Sequence, residues 1–195
     1  MSELDRYWPD HLPGTLRDTL LAAYGDPRRG YHDTLHLAEV LGHVDELAAD
    51  DDPAREAVLL AAWFHDAVYA GTGDDEERSA RWAEAALPDP PATEVARLVR
   101  LTATHRPEPG DHAGQVLCDA DLAVLAADDE RYASYTAGVR REYAHVPDGD
   151  FAAGRAAVLR DLMAKPALFH TAAARQRWEA RARANVRREL AFLER

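Results

Sequence analysis

Apolar residues recur at three- and four-residue steps along almost the whole chain, and no stretch alternates as a half-buried strand does. The pattern predicts helices from Thr15 to Tyr24 and from Tyr31 to Ala49. In the second, Leu37, Val40, Leu41, Val44 and Leu47 form one stripe. The acidic run Asp50-Asp51-Asp52 and Pro53 mark a break and restart. Ala54 to Val68 is apolar on nearly every face and reads as a buried central helix. Gly71-Thr72-Gly73 ends it. Further helices are expected from Asp74 to Leu87, Thr93 to Thr104, Ala113 to Ala127 in part, Asp129 to His145, Phe151 to Met163 and Ala172 to Leu193. Pro88-Asp89-Pro90-Pro91 and Arg106-Pro107-Glu108-Pro109-Gly110 separate three of them. The expected fold is all-α.

A chain of 195 residues suits one domain. Within 1–195 the pattern suggests a core over about 29–125 and a C-terminal set of helices over about 129–193. Ala and Leu dominate the apolar fraction, which agrees with helices. The net charge of −12 opposes general binding to nucleic acid or to anionic membranes. The single Cys118 excludes an internal disulfide and reads as a small core residue. Neither a signal peptide nor a 20-residue apolar span is visible, so a cytoplasmic location without membrane attachment is the expectation.

Three segments combine metal-binding side chains with apolar surroundings. His32 and His36 are four residues apart, which on a helix places both on one face. His65-Asp66 closes the most apolar helix, where an ionised Asp is costly unless paired or coordinated. Asp119 and Asp121 lie within Val116–Leu122, another apolar setting. Taken singly, each has an ordinary reading: a surface or hydrogen-bonded His pair, a helix-end His with a capping Asp, an Asp at a helix N-cap. Together, two imidazoles and two carboxylates suit Mn, Fe, Co, Ni or Zn better than Mg or Ca.

The order H…HD…D resembles the HD-domain superfamily of metal-dependent phosphohydrolases. Tyr31-His32-x-x-x-His36 is similar to the segment that opens the metal site in its cyclic-nucleotide phosphodiesterases, and Ala120-Asp121-Leu122 to the segment carrying the last ligand. The wider pattern resembles a bacterial group of metal-dependent phosphohydrolases. It includes Ala61 to Tyr69, Asp75-Glu76-Glu77-Arg78-Ser79-Ala80, Asp119 to Leu122 and Glu142-Tyr143, and spans about 29–189.

The resemblance implies a single-domain HD-type helical bundle. It implies metal ligation by His36, His65, Asp66 and Asp121, with Asp119 open as the alternative to Asp121. It gives His32 the place of a general acid, and Asp66 or Asp121 would orient water. His105 is a candidate substrate, supporting or second-metal residue, against a capping or surface His; Glu77 and Arg78 could reach the site, against a surface salt bridge. Arg140, Arg155, Arg181 and Arg183 are phosphate candidates or helix-face ion pairs. His11, His43, His112, His145 and His170 read as structural or exposed. The implied activity is hydrolysis of a phosphate ester of a nucleotide or other small metabolite. Three other readings stay open: a di-iron oxygenase on the same scaffold, a nucleotide-binding module without turnover, and a structural helical protein whose His and Asp residues are coincidental.

Overall fold

The computed structural model describes residues 3–49 and 51–195. The break expected at Asp50 lies outside the described residues, as do Met1 and Ser2. The described residues contain nine α-helices and no strand. They are α1 (Gly14–Tyr24), α2 (Thr34–Leu47), α3 (Arg55–Phe64), α4 (Asp75–Ala86), α5 (Ala92–Thr102), α6 (His112–Leu122), α7 (Asp129–Glu142), α8 (Asp148–Ala164) and α9 (Ala172–Leu193). Short 3-10 turns occupy Glu3–Tyr7 and Ala123–Ala126. Among the described residues, no helix is long and apolar enough to cross a membrane.

The expected central helix is central. Every residue of α3 from Ala57 to Phe64 is buried, and the helix packs on α2, α4, α5 and α6. A helix with no polar face must be enclosed on all sides. The N-terminal turn, which the pattern did not foretell, supplies part of the cover. Trp8 meets Trp63 edge-on at 5.3 Å, and Trp63 Nε1 donates to the Tyr7 carbonyl at 3.3 Å.

The apolar interior falls into two clusters. One gathers α1 to α6. The other joins Tyr31, the turn after α6, and α7, α8 and α9. A backbone contact helps weld the two. Gly30 precedes α2 and Gly138 lies on α7, and a Cβ on either would intrude on the other's carbonyl oxygen. The absence of side chains is what lets these segments touch. Gly138→Ala is therefore expected to destabilise the fold by roughly 2–3 kcal/mol, the upper range for overpacking. Chemical denaturation checks it; an unchanged midpoint would show that the seam yields freely.

One helix boundary matters for the site. α2 starts at Thr34 and not at Tyr31, because the Asp33 side chain accepts from the backbone N–H of Leu35 and His36 at 2.9 and 3.2 Å. That is N-cap chemistry, which stops the helix where it begins. His32 thus lies in the preceding turn, and the expectation that it shares a helix face with His36 is corrected.

Candidate metal centre

α2, the end of α3 and the end of α6 bring four side chains to one point. His36 Nε2 lies 3.2 Å from His65 Nε2. The same atom is 3.4 Å from Asp66 Oδ2 and 3.3 Å from Asp121 Oδ1. His65 Nε2 lies 3.0 Å from Asp66 and 3.8 Å from Asp121. Donors about 2.0–2.2 Å from a common ion stand roughly 3.0–3.5 Å apart, so His36, His65 and Asp121 come close to the spacing of a coordination shell, with Asp66 in contact with both histidines. Both histidines are only 1% exposed. His65 Nδ1 lies 2.8 Å from the Ala62 carbonyl, which can only accept. Nδ1 therefore carries the proton, and the Nε2 lone pair faces the cluster, as ligation requires.

The electrostatics point the same way. Burial pushes the His36 imidazole down, but hydrogen bonds and charge from Asp121 and Asp66 overturn this and raise it to about 10. Burial likewise opposes ionisation of both carboxylates. His65 and His32 nonetheless hold Asp66 well below the usual range, and His105 and His36 do the same for Asp121. Two carboxylates that draw protons onto buried imidazoles would draw a divalent cation more strongly. Mixed nitrogen and oxygen donors fit a transition ion better than Mg or Ca.

Asp119 does not belong to this cluster. Two residues from Asp121 on α6, it faces a different side of the helix. Its carboxylate accepts from the backbone N–H of His170 and Thr171, each at 2.7 Å, where α9 begins.

His32 stands beside the cluster. Its ring lies 5.6 Å from that of His36 and stacks on Tyr69 at 4.1 Å. Its Nδ1 is 2.8 Å from Glu142 Oε2. The other oxygen, Glu142 Oε1, accepts from the backbone N–H of Gly30, Tyr31 and His32 at 2.9, 2.8 and 3.0 Å. One carboxylate from α7 therefore holds both the turn and the ring. Arg29 ties the same turn to the His65-Asp66 segment, donating to the carbonyls of His32, Asp66 and Ala67 at 2.7, 2.7 and 3.0 Å. Sequence reading gave neither residue a role; Glu142 was visible there only as part of the Glu142-Tyr143 resemblance.

His105 reaches the site from the end of α5. Its Nε2 lies 2.8 Å from Asp121 Oδ2, the oxygen not facing His36. Its backbone is left-handed at φ 50°, a costly state for a non-glycine residue. Lys165, itself buried, donates to the carbonyls of His105 and Thr104 at 2.9 and 3.3 Å and supports that conformation.

Glu77 and Arg78 do not reach the site. Asp75 and Ser79, one turn apart on α4, face the segment after Asp66. Asp75 accepts from the N–H of Ala70 and Gly71, and Ser79 from that of Val68. Helical phase then turns positions 77 and 78 elsewhere. Glu77 pairs with Arg100 and Arg81 at 2.6 and 2.8 Å, and Arg78 with Asp75 at 3.4 Å. Their neighbour Glu76 lines the cavity instead.

That cavity encloses about 940 Å³, and its lining includes His32, Asp66, His105 and Asp121. Of the four arginines considered for phosphate, Arg155 lines it, with its guanidinium held by Glu189 and the Tyr135 hydroxyl. Arg140 bonds backbone carbonyls and Asp148, and Arg183 forms the expected pair with Glu179. Burial raises the Cys118 thiol far above its ordinary range, as suits an inert core residue.

Compared with models of known families, with curated proteins and with solved structures, the chain gives no match. What the fold and site define is an all-helical protein in which two buried histidines meet two partly buried aspartates beside a cavity of about 940 Å³.

Proposed function

We propose that this protein is a metal-dependent phosphohydrolase of the HD-domain kind, acting on a phosphate ester of a small metabolite. The observation that carries the reading is the convergence of His36, His65, Asp66 and Asp121 beside an oriented histidine, His32, with Asp66, Asp121 and His32 lining one cavity. A divalent transition ion held by those four residues would act as a Lewis acid toward the phosphoryl group and lower the pKa of water.

The chain's own residues divide the remaining work. Asp66 and Asp121 line the cavity, and one of them, Asp66 or Asp121, orients the attacking water by a hydrogen bond. His32 presents Nε2 as the atom that gives a proton to the leaving oxygen. Glu142 holds the opposite nitrogen, fixing which one is free. His105 steadies Asp121 through its outer oxygen.

The test is elemental analysis of the purified protein together with a panel of phosphorylated metabolites assayed with Mn, Fe, Co, Ni and Zn. Bound metal near one equivalent and metal-dependent phosphate release are expected. Absence of both would remove the reading, while ligand binding without turnover would leave a nucleotide-binding module. A di-iron oxygenase is the second reading, favoured by His105 on the outer oxygen of Asp121; iron with substrate-dependent oxygen consumption would establish it.

His32→Ala is expected to keep its metal yet lose about 10²–10³-fold in turnover on esters with poor leaving groups. A nitrophenyl ester, whose leaving oxygen needs little protonation, should suffer far less. Equal losses on both would exclude the acid role.

A further inference from the structure

The cavity extends well past the metal cluster, and one of its walls is a single face of α8. Phe151, Gly154, Arg155, Val158 and Leu162 recur at three- and four-residue steps and all line it. A largely apolar helix stripe ordinarily packs into a core. In α8 only Ala156 and Leu159 are buried, and Val158 is left 55% exposed. Val139 of α7 and Leu125 add to the same lining.

Three charged side chains of α8 line this region; two of them already have partners, and the third, Asp150, is exposed to water at the start of the helix. Arg155 is held by Glu189 and Tyr135, and Asp161 pairs with Arg106. A nucleobase lodged here would leave its donors and acceptors unmatched, which is costly out of water. A buried unmatched protein group lies at the other end. The buried Tyr31 hydroxyl lines the cavity without a hydrogen-bond partner, and its ring packs on His36 at 4.6 Å. A donor near the cluster and an apolar wall beyond it suit a ligand that is polar at one end only.

We infer that the cavity takes a phosphate ester whose organic part is an alkyl or aryl group and not a nucleoside, with that group lying along α8. The phosphate end rests on the phosphohydrolase reading above; the apolar end rests on the α8 wall.

The test is calorimetric titration of the Mn²⁺-loaded protein with inorganic phosphate, methyl, butyl and hexyl phosphate, and adenosine 5′-monophosphate. Burying a methylene strengthens binding by roughly three- to fourfold, so hexyl phosphate should bind about tenfold tighter than butyl phosphate. Adenosine monophosphate should bind more weakly than hexyl phosphate. Gly154→Leu supplies the second arm. A Cβ at this position meets nothing within 4 Å, and leucine favours a helix more than glycine does. The variant should fold, bind inorganic phosphate as before, and lose about tenfold for hexyl phosphate.

An affinity independent of chain length, or a preference for the nucleotide, overturns this inference and leaves the phosphohydrolase reading intact. An unchanged hexyl phosphate affinity in Gly154→Leu removes the α8 wall from it. Failure of every phosphate to bind overturns both.

Discussion

His65→Ala is expected to weaken binding of Mn²⁺ or Zn²⁺ by more than about a hundredfold, which abolishes stoichiometric loading at micromolar protein. Loss of a residue that merely orients a ligand costs about 10–100-fold, so loss of a ligand should exceed that. His65 is the best-fixed donor of the four: its Nδ1–H is held by the Ala62 carbonyl, and its Nε2 is within 3.8 Å of His36, Asp66 and Asp121. The fold should survive, since the apolar faces of α3 from Ala57 to Phe64 are untouched. A stability cost of about 1–3 kcal/mol is expected from the lost hydrogen bond and the space left behind. Calorimetric titration and circular dichroism separate the two effects. His112→Ala is the control, because its exposed side chain pairs with Asp52 and not with the cluster. Equal metal affinity in His65→Ala and the native protein would dismiss the site.

Glu142 should show the second large effect, and two substitutions divide it. Alanine removes an acceptor that serves three backbone N–H groups and one imidazole, and a loss of about 3 kcal/mol or more is expected. Glutamine keeps one oxygen for the backbone but cannot accept from His32 Nδ1. Its stability loss should stay at about 2 kcal/mol, the contribution of the charge alone, while turnover on poor leaving groups falls about 10–100-fold. A Glu142→Gln enzyme with native turnover would show that the ring needs no orienting.

The same carboxylate predicts a pH dependence. Burial raises its pKa, but the hydrogen bond and charge of His32 and the bonds from the backbone N–H groups win, lowering it from 4.5 to about 2. A group depressed in the folded state stabilises it above the unfolded value. That contribution, of the order of 2 kcal/mol, is lost as the pH falls from about 4.5 toward 2. Acid unfolding of Glu142→Gln should be shallower than that of the native protein over this window.

The sequence revealed the buried helix and its His65-Asp66 end because an apolar run closing on an ionisable pair is a local contradiction that chemistry must resolve. Asp121 was separable from Asp119 only by its resemblance to a known segment. Both sit in the same apolar context, and helical phase decides which one meets the histidines. The start of α2 was misplaced because the four-residue spacing of His32 and His36 suggested a helix, while the cap signal of Asp33 lay between them. Glu77 and Arg78 were placed too near the site for the opposite reason. The anchoring pair Asp75 and Ser79 sets the phase of α4, and that phase is known only once the following loop is folded. Glu142 and Arg29 were out of reach of any local pattern, since the contacts that give them roles cross 110 and 37 residues of chain.

The Gly30–Gly138 seam has a consequence for how this protein can vary. Each residue excludes a side chain on the other, so no single exchange is compensated by a second one, and the pair has no neutral neighbours in sequence space. Beside it lies the turn that presents His32, docked by Glu142 four residues further along α7. Drift is thereby channelled away from the junction of the two cores and into helix surfaces that face solvent. A randomised library selected for folding should return glycine at both positions while neighbouring surface positions diversify.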